Sequence, residues 1–444
     1  MRRVRPSGLL TAAVLGTYVA VAFGATTAAT GGPPAVAGAH YVAAAAVWGL
    51  LVVAAVGVFR GDAPSKVRLG TGVAVAAVPI QGLLGMAHAV GTAPPNVGAL
   101  VDQLHLLGGV AVFGLLLLTL VWQLEHESGP PTESAPADPT GEAVTSSPLS
   151  ERSPTFRDRV RAYVTLTKPR LMWLLCLLAL AGMALAVATG ASIDGVTVVA
   201  TLAGGVLAVG ASGTFNHVYE RDRDRRMKRT AERPVATHRV GPRRATAFGL
   251  SLVVASMVVL VVLVNVLAAA LTAAAVVYYS VVYTVVLKPT TAWNTVIGGG
   301  SGALPAVIGW AAVTNGVGLP ALLLAALVVC WTPAHFYNLA IVYHDDYARA
   351  SYPMVPVERG IAATRRRIVF WFGATLAVAI YLGTTVEFGA IYAAIAALTG
   401  AVFLLSIVQQ YRLDTPSATY RSFVASNAYL GGVLVAILVE AVLV

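Results

Sequence analysis

The sequence predicts an all-α integral membrane protein with a four-helix N-terminal membrane domain and a nine-helix C-terminal bundle. Three observations carry this. Of 444 residues, 57% are apolar and 11% charged, against about 25% charged in an ordinary soluble domain. The apolar residues fall in runs of roughly 20, enough for a helix to cross a bilayer. A polar stretch at 125–160 separates four such runs from nine.

The first spans are expected at 8–28, 39–59, 67–89 and 100–123. The opening Met1-Arg2-Arg3-Val4-Arg5, with apolar residues and then Ala25-Thr-Thr-Ala-Ala-Thr30 after it, also has the outline of a signal peptide. Further spans follow at once, which favours a retained first helix. From Glu125 to about Thr155 the chain is rich in Pro, Ser, Thr, Glu and Asp. Such a segment buries too little apolar surface to offset its ordering entropy, so 125–160 reads as a disordered linker between domains 1–124 and 161–444. The nine later spans are expected at 170–190, 196–216, 244–264, 266–287, 292–312, 319–340, 368–386, 389–410 and 423–443.

The loops assign an orientation. Arg2, Arg3 and Arg5 hold the N-terminus in the cytoplasm, and counting spans then places Arg60, Lys66 and Arg68 inside, with Arg157, Arg159 and Arg161. The same count puts two long Arg-rich loops, 217–243 and 341–367, on the cytoplasmic side and the C-terminus outside, in a multi-pass cell-membrane protein. The net charge of +10 is therefore a topology signal, and no nucleic-acid partner is expected. Cys176 and Cys330 both lie within apolar runs, which excludes a disulfide framework and a thiolate metal site.

The chemistry concentrates in the two long loops. Asn216, Glu220 and Asp224 are four residues apart, so on a continuing helix they share one face. An amide oxygen and two carboxylates suit Mg²⁺, a hard ion that takes oxygen ligands and bridges to substrate phosphates. Asp222 points elsewhere and is expected to pair with an Arg. A solvated positive-inside loop accounts for most of the arginines here. It does not account for three aligned oxygen ligands at the membrane boundary, where carboxylates are costly. The second loop offers Tyr343-His344-Asp345-Asp346-Tyr347 on the same side. Two acidic clusters with a diphosphate between them would stabilise its departure from a prenyl chain. Asn216, Glu220, Asp224, Asp345 and Asp346 are the expected catalytic set, with Asn216, Glu220, Asp224 and Asp346 as metal ligands.

These residues resemble the UbiA-type prenyltransferase superfamily, whose mark is an Asn-x-x-x-Asp-x-x-x-Asp motif and a second Asp-rich loop on a nine-helix bundle. Within it the match is closest to the haem-farnesylating branch, the haem O synthases. Supporting stretches are Leu166-Thr-Lys168-Pro-Arg170, Glu232-Arg-Pro, Tyr283-Thr-Val-Val-Leu-Lys288-Pro-Thr-Thr-Ala-Trp-Asn294, Gly299-Gly-Ser-Gly-Ala-Leu-Pro305 through Trp310, His335-Phe336 and Pro353-Met354. The resemblance covers 160–444. Position 220 is Glu where the pattern has Asp, and position 350, four after Asp346, is Ala. The resemblance implies Mg²⁺, farnesyl diphosphate as donor and haem B as acceptor. The farnesyl cation adds to the 2-vinyl group and water quenches the product cation, giving the hydroxyethylfarnesyl chain of haem O. It further implies Lys168, Arg170, Lys228, Arg229 and Arg233 as diphosphate or propionate contacts. His217 and His335 become candidate haem contacts, although a lone membrane histidine is more often a hydrogen-bonded core residue. Haem A synthase or terminal-oxidase assembly components are raised as partners.

In the first four spans the informative residues are His40, His88 and His105. His40 and His105 fall at similar depth near the outer surface, a placement suited to bis-His haem ligation. Pro79-Ile-Gln81-Gly-Leu-Leu-Gly85 and Leu104-His105-Leu-Leu resemble half of haem A synthase. A dimer, a non-catalytic haem-handling remnant and simple packed histidines all stay open. Two rivals remain for the whole chain: a quinone or lipid prenyltransferase, and a polytopic transporter, whose site is expected nearer the bilayer midplane.

Overall fold

The computed structural model describes residues 5–30, 34–89, 95–129 and 155–443. Among the described residues there are helices and turns and no strand. In chain order the helices are α1 (Pro6–Thr30), α2 (Pro34–Arg60), α3 (Ser65–Ala89), α4 (Pro95–Ser128), α5 (Phe156–Leu166), a 3₁₀ turn (Pro169–Leu171), α6 (Met172–Ala188), α7 (Gly195–Tyr219), α8 (Arg221–Asp224), α9 (Pro242–Leu263) and α10 (Val266–Val277). A π-helix (Tyr278–Leu287) follows, then α11 (Lys288–Thr290), α12 (Asn294–Thr314), α13 (Leu319–Val342), α14 (His344–Arg349), α15 (Val355–Thr385), α16 (Ala390–Leu413) and α17 (Pro416–Leu443). Among the described residues, thirteen helical segments are long and apolar enough to cross a membrane, as the apolar runs predict.

Some boundaries differ from those expectations. α15 is two helices that meet at Gly360 (φ 77, ψ 168), a conformation that glycine reaches freely, so helical structure is found from Val355 and not only from about 368. The linker is shorter than expected at both ends. Residues 125–128 stay helical in α4, where Glu127 accepts hydrogen bonds from the Ser7 backbone N (3.0 Å) and hydroxyl (2.5 Å), and Glu125 accepts one from Arg366 (2.5 Å). At the other end a reciprocal cap starts α5. Thr155 Oγ1 accepts from Asp158 N (3.2 Å) while the Asp158 carboxylate accepts from Thr155 N (3.0 Å). The rest of the linker, 130–154, lies outside the described residues.

Backbone packing divides the chain into two compact units, Met1–Thr132 with Arg365–Ala436 and Glu133–Thr364 with Ile437–Val444. Packing thus groups the last three spans with the first four, a different cut from that drawn by the polar stretch. In the first unit α1 packs on α2, α4 and α16, around Tyr18, Leu51, Leu116, Phe372, Phe403 and Tyr429, all buried. In the second, α7 packs on α9, and α12 packs on both α6 and α13. α6 and α12 cross with backbones in contact. A Cβ on Gly182 would stand 2.1 Å from Ala306 O, and one on Gly309 would stand 2.0 Å from Ala179 O. Small residues at such a crossing let membrane helices approach closely.

Candidate active site

The first acidic motif sits where α7 runs into α8 without losing its helical bonds. Glu220 N donates to Asn216 O (2.9 Å) and Asp224 N to Glu220 O (2.8 Å). The four-residue spacing therefore does put Asn216, Glu220 and Asp224 on one face, and all three are buried (2%, 3% and 2% exposed). Buried carboxylates persist only with partners, and each has one. Arg233 Nη1 donates to both Asp224 oxygens (2.8 and 2.9 Å) and lies 3.5 Å from Glu220 Oε2. Lys288 pairs with Glu220 Oε1, and Lys168 Nζ donates to Asn216 Oδ1. Two carboxylates therefore converge on one cationic nitrogen, with an amide oxygen beside them. Burial pushes the Glu220 carboxyl up, but Lys288, Lys168 and Arg233 together outweigh it and hold the group down to about 2. At Asp224 burial prevails over Arg233, and the carboxyl is pushed up. Asp222 is 64% exposed and pairs with Arg225 (3.2 Å) and Arg221 (3.6 Å), as its opposite helical face predicts.

The cations arrive from distant points of the chain. Lys168 occupies a left-handed conformation (φ 54) just before the 3₁₀ turn, a conformation uncommon outside glycine. Lys288 ends the π-helix. Its widened turn, with bonds closing five residues back, brings Tyr279, Tyr283, Thr284 and Lys288 to one side at spacings of four and five. Thr284 Oγ1 donates to Tyr279 O (2.8 Å) and accepts from Asn216 Nδ2 (3.4 Å). The Tyr279 and Tyr283 rings lie 5.6 Å apart. Lys168 stands 6.0 Å over Tyr279, while Lys288 (4.7 Å) and Arg223 (4.9 Å) both stand over Tyr352.

The second loop meets the first through backbone. Asp346, 5% exposed, accepts from Lys228 N and Arg229 N (3.1 Å each) and pairs with Arg349. Each of its oxygens accepts one backbone N–H of the turn that follows Asp224, so the carboxylate braces that turn. Asp345 is 56% exposed beside His344 (3.1 Å), outside this constellation. Ala350 is fully buried with Met227, Tyr347, Tyr352 and Met354, where a carboxylate would find no water.

Of the basic residues expected from the sequence, Arg233 reaches both carboxylates and Lys168 the Asn216 amide oxygen, while Lys228 and Arg229 serve through their backbone. The Arg229 guanidinium lies 4.9 Å from the Tyr343 ring, and Arg170 is exposed. His217 is buried with Nδ1 unpartnered, and His335 stacks on Trp331 (4.3 Å). Sequence reasoning did not assign Lys288, Tyr279, Tyr283, Thr284, Tyr352 or Arg349 to the site. Lys288 had a usable signal, a cation at a span end on the side of both acidic loops. No set of three His, Cys, Asp or Glu converges among the described residues. The oxygen set is Glu220, Asp224 and the Asn216 amide, which suits Mg²⁺.

The first unit holds a second feature. A cavity of about 370 Å³ is lined by His40, His105, Gln81 and Tyr41, among others. His40 Nδ1 donates to Ala20 O (2.9 Å), so its Nε2 is the ring nitrogen that can accept a further partner. The two imidazoles lie 6.2 Å apart at 89°. Two metal–nitrogen bonds of about 2 Å plus the half-width of each ring come to a similar length. His88 belongs to α3, and its side chain lies outside the described residues.

The UbiA prenyltransferase family matches residues 175–431. "Protoheme IX farnesyltransferase 2" of Natronomonas pharaonis is 61% identical over 441 residues, 99% of this chain and 100% of that protein. "Protoheme IX farnesyltransferase" of Haloarcula marismortui is 46% identical and is covered over 98%, as is this chain. Among solved structures, one of digeranylgeranylglyceryl phosphate synthase shares the fold at a TM-score of 0.54 and 13% identity, covering 65% of this chain and 100% of that one.

Proposed function

The chain belongs to the UbiA prenyltransferase family, and from that membership we propose that it is a protohaem IX farnesyltransferase, converting haem B to haem O with farnesyl diphosphate as donor. The observation that carries this is the buried set of Asn216, Glu220 and Asp224 with Lys168, Lys288 and Arg233 around it, in a chain whose full-length relatives bear that name.

Mg²⁺ fits the three oxygen donors and, when bound there, would neutralise charge gathering on the departing diphosphate. Lys168, Lys288 and Arg233 are placed to donate to phosphate oxygens as the C–O bond breaks. The Tyr279 and Tyr283 rings exclude water from the allylic cation so that carbon, and not solvent, captures it first. The cation adds to the terminal carbon of the haem vinyl group. Water then takes the cation left beside the porphyrin and loses a proton, giving the hydroxyethylfarnesyl chain. No protein nucleophile is needed. Orientation and shielding supply the rate.

In this reading residues 161–444 carry transfer, with the N-terminus and both motif loops cytoplasmic and the C-terminus outside, in the cell membrane. His217 and His335 are the acceptor-side histidines, and residues 1–124 handle haem for a downstream haem A synthase or oxidase assembly. A quinone or lipid prenyltransferase would leave haem unchanged. Full-length protein given haem B, farnesyl diphosphate and Mg²⁺ should shift the pyridine-haemochrome band as a vinyl group leaves conjugation. An unshifted band, with diphosphate released, would overturn the proposed acceptor.

For the first unit we propose a haem held by His40 and His105. The full chain, reconstituted with haem, should show a low-spin bis-imidazole spectrum, lost in His40→Ala and in His105→Ala while farnesyl transfer continues. A high-spin spectrum insensitive to both substitutions would remove haem from this cavity.

A further inference from the structure

We infer that the acidic site is closed to divalent metal until a diphosphate enters: the donor binds first, and Lys288 and Arg233 pass from the carboxylates to its phosphate oxygens as the metal arrives. The inference rests on the reading of this site as a prenyl-diphosphate site, and adds the order in which that site fills.

The charges decide it. Glu220 and Asp224 each already have a buried cation as partner, Lys288 and Arg233, while Lys168 is taken up on the Asn216 amide oxygen. The groups are poorly solvated: Lys288 is 13% exposed, Arg233 20%, Glu220 3% and Asp224 2%. Like charges repel strongly where water does not screen them. A divalent ion arriving alone meets Lys288 and Arg233 at the carboxylates it would bind. It also has to part Lys288 from Glu220 and Arg233 from Asp224, leaving two cations without partners, the costly way to break a buried ion pair. A diphosphate reverses every one of these terms. Its oxygens accept from Lys168, Lys288 and Arg233, and the carboxylates and the Asn216 amide come free for the metal. The point on which both carboxylates converge is the place Arg233 Nη1 holds, so metal and guanidinium exclude each other there.

The cations have somewhere to go. Lys288 already lies 4.7 Å over the Tyr352 ring and Lys168 6.0 Å over Tyr279, and aromatic faces hold a cation without competing for its hydrogen bonds. Coupling between two ligands is reciprocal, so metal must tighten diphosphate binding by the factor with which diphosphate tightens metal binding.

The test uses the full-length protein in detergent, with Mn²⁺ as the metal and farnesyl thiolodiphosphate as an unreactive donor. Free Mn²⁺ is followed by its paramagnetic resonance signal and the thiolodiphosphate by equilibrium dialysis, each scored against protein-free controls. The thiolodiphosphate should bind in excess chelator. Mn²⁺ alone should bind at least about tenfold more weakly than Mn²⁺ with the thiolodiphosphate present. In Lys288→Met the two should move oppositely, Mn²⁺ alone tighter and metal-free thiolodiphosphate weaker. Wild-type protein that takes up Mn²⁺ equally well with and without the thiolodiphosphate would overturn the order. So would a Lys288→Met variant in which both affinities shift the same way. Failure of the thiolodiphosphate to bind under any condition would overturn the reading of the site itself, and the order with it.

Discussion

Glu220→Gln is expected to lower the rate of haem farnesylation by at least about tenfold, up to about a thousandfold if Glu220 acts like other preorganised groups at a developing charge, while Asp222→Asn leaves it nearly unchanged. The two residues are two apart in a run of alternating acids and arginines, and composition does not distinguish them. Their environments do. Glu220 is 3% exposed between Lys288 and Arg233, and Asp222 is 64% exposed on arginines that also see solvent. Gln keeps the shape and one acceptor oxygen but not the charge a divalent ion needs. It also strands Lys288, and losing one partner of a buried pair costs about 3–5 kcal/mol, so the single variant should melt earlier. The double variant Glu220→Gln/Lys288→Met separates the two effects. It should recover most of the melting temperature and none of the rate. Recovery of both would make Glu220 a structural ion pair. Equal losses in Glu220→Gln and Asp222→Asn would end the argument from helical face.

The second large effect is expected at Asp346, through folding of the loop. Asp346→Asn replaces a carboxylate that accepts from Lys228 N and Arg229 N and pairs with Arg349. An amide has one acceptor oxygen, and its NH₂ would confront a backbone donor. Hydrogen bonds to a charged group contribute about 1.5–3 kcal/mol each, so a loss of that order is expected, with faster hydrogen exchange at the Lys228 and Arg229 amides. The same turn sets Asp224 and Arg233, so donor affinity should fall as well. Asp345→Asn, at a half-exposed residue beside His344, should change neither. Unchanged exchange in Asp346→Asn, with activity lost, would return Asp346 to the role of metal ligand that its sequence suggested.

Much of this was legible in the sequence because a membrane imposes few solutions. Runs of about 20 apolar residues must be helices, and all thirteen are found. The alignment of Asn216, Glu220 and Asp224, and the outward turn of Asp222, followed from helical period alone. The rest was hidden for physical reasons. Lys288 reaches Glu220 from 68 residues away, over a π-helix, and a periodicity built on 3.6 residues per turn cannot foresee which residues a widened turn aligns. Asp346 looks like a ligand by type, and only backbone geometry shows that its oxygens are already engaged. Glu125 and Glu127 read as linker because hydropathy cannot see that Arg366 and Ser7 complete them. Likewise, the apolar pattern identifies a span but not its neighbours, so the grouping of Arg365–Ala436 with the first four helices had no signature in one sequence.

The cations and carboxylates around Glu220 transfer farnesyl to haem in this reading. Its most direct test is the mass of the product. Full-length protein incubated with haem B, farnesyl diphosphate and Mg²⁺ should yield haem B plus one farnesyl and one hydroxyl group, with ¹⁸O incorporated once when the reaction is run in H₂¹⁸O and with at least about tenfold less product in the same time when Glu220→Gln replaces the wild type. Haem B recovered unmodified from an incubation in which farnesyl diphosphate has been consumed would contradict the account.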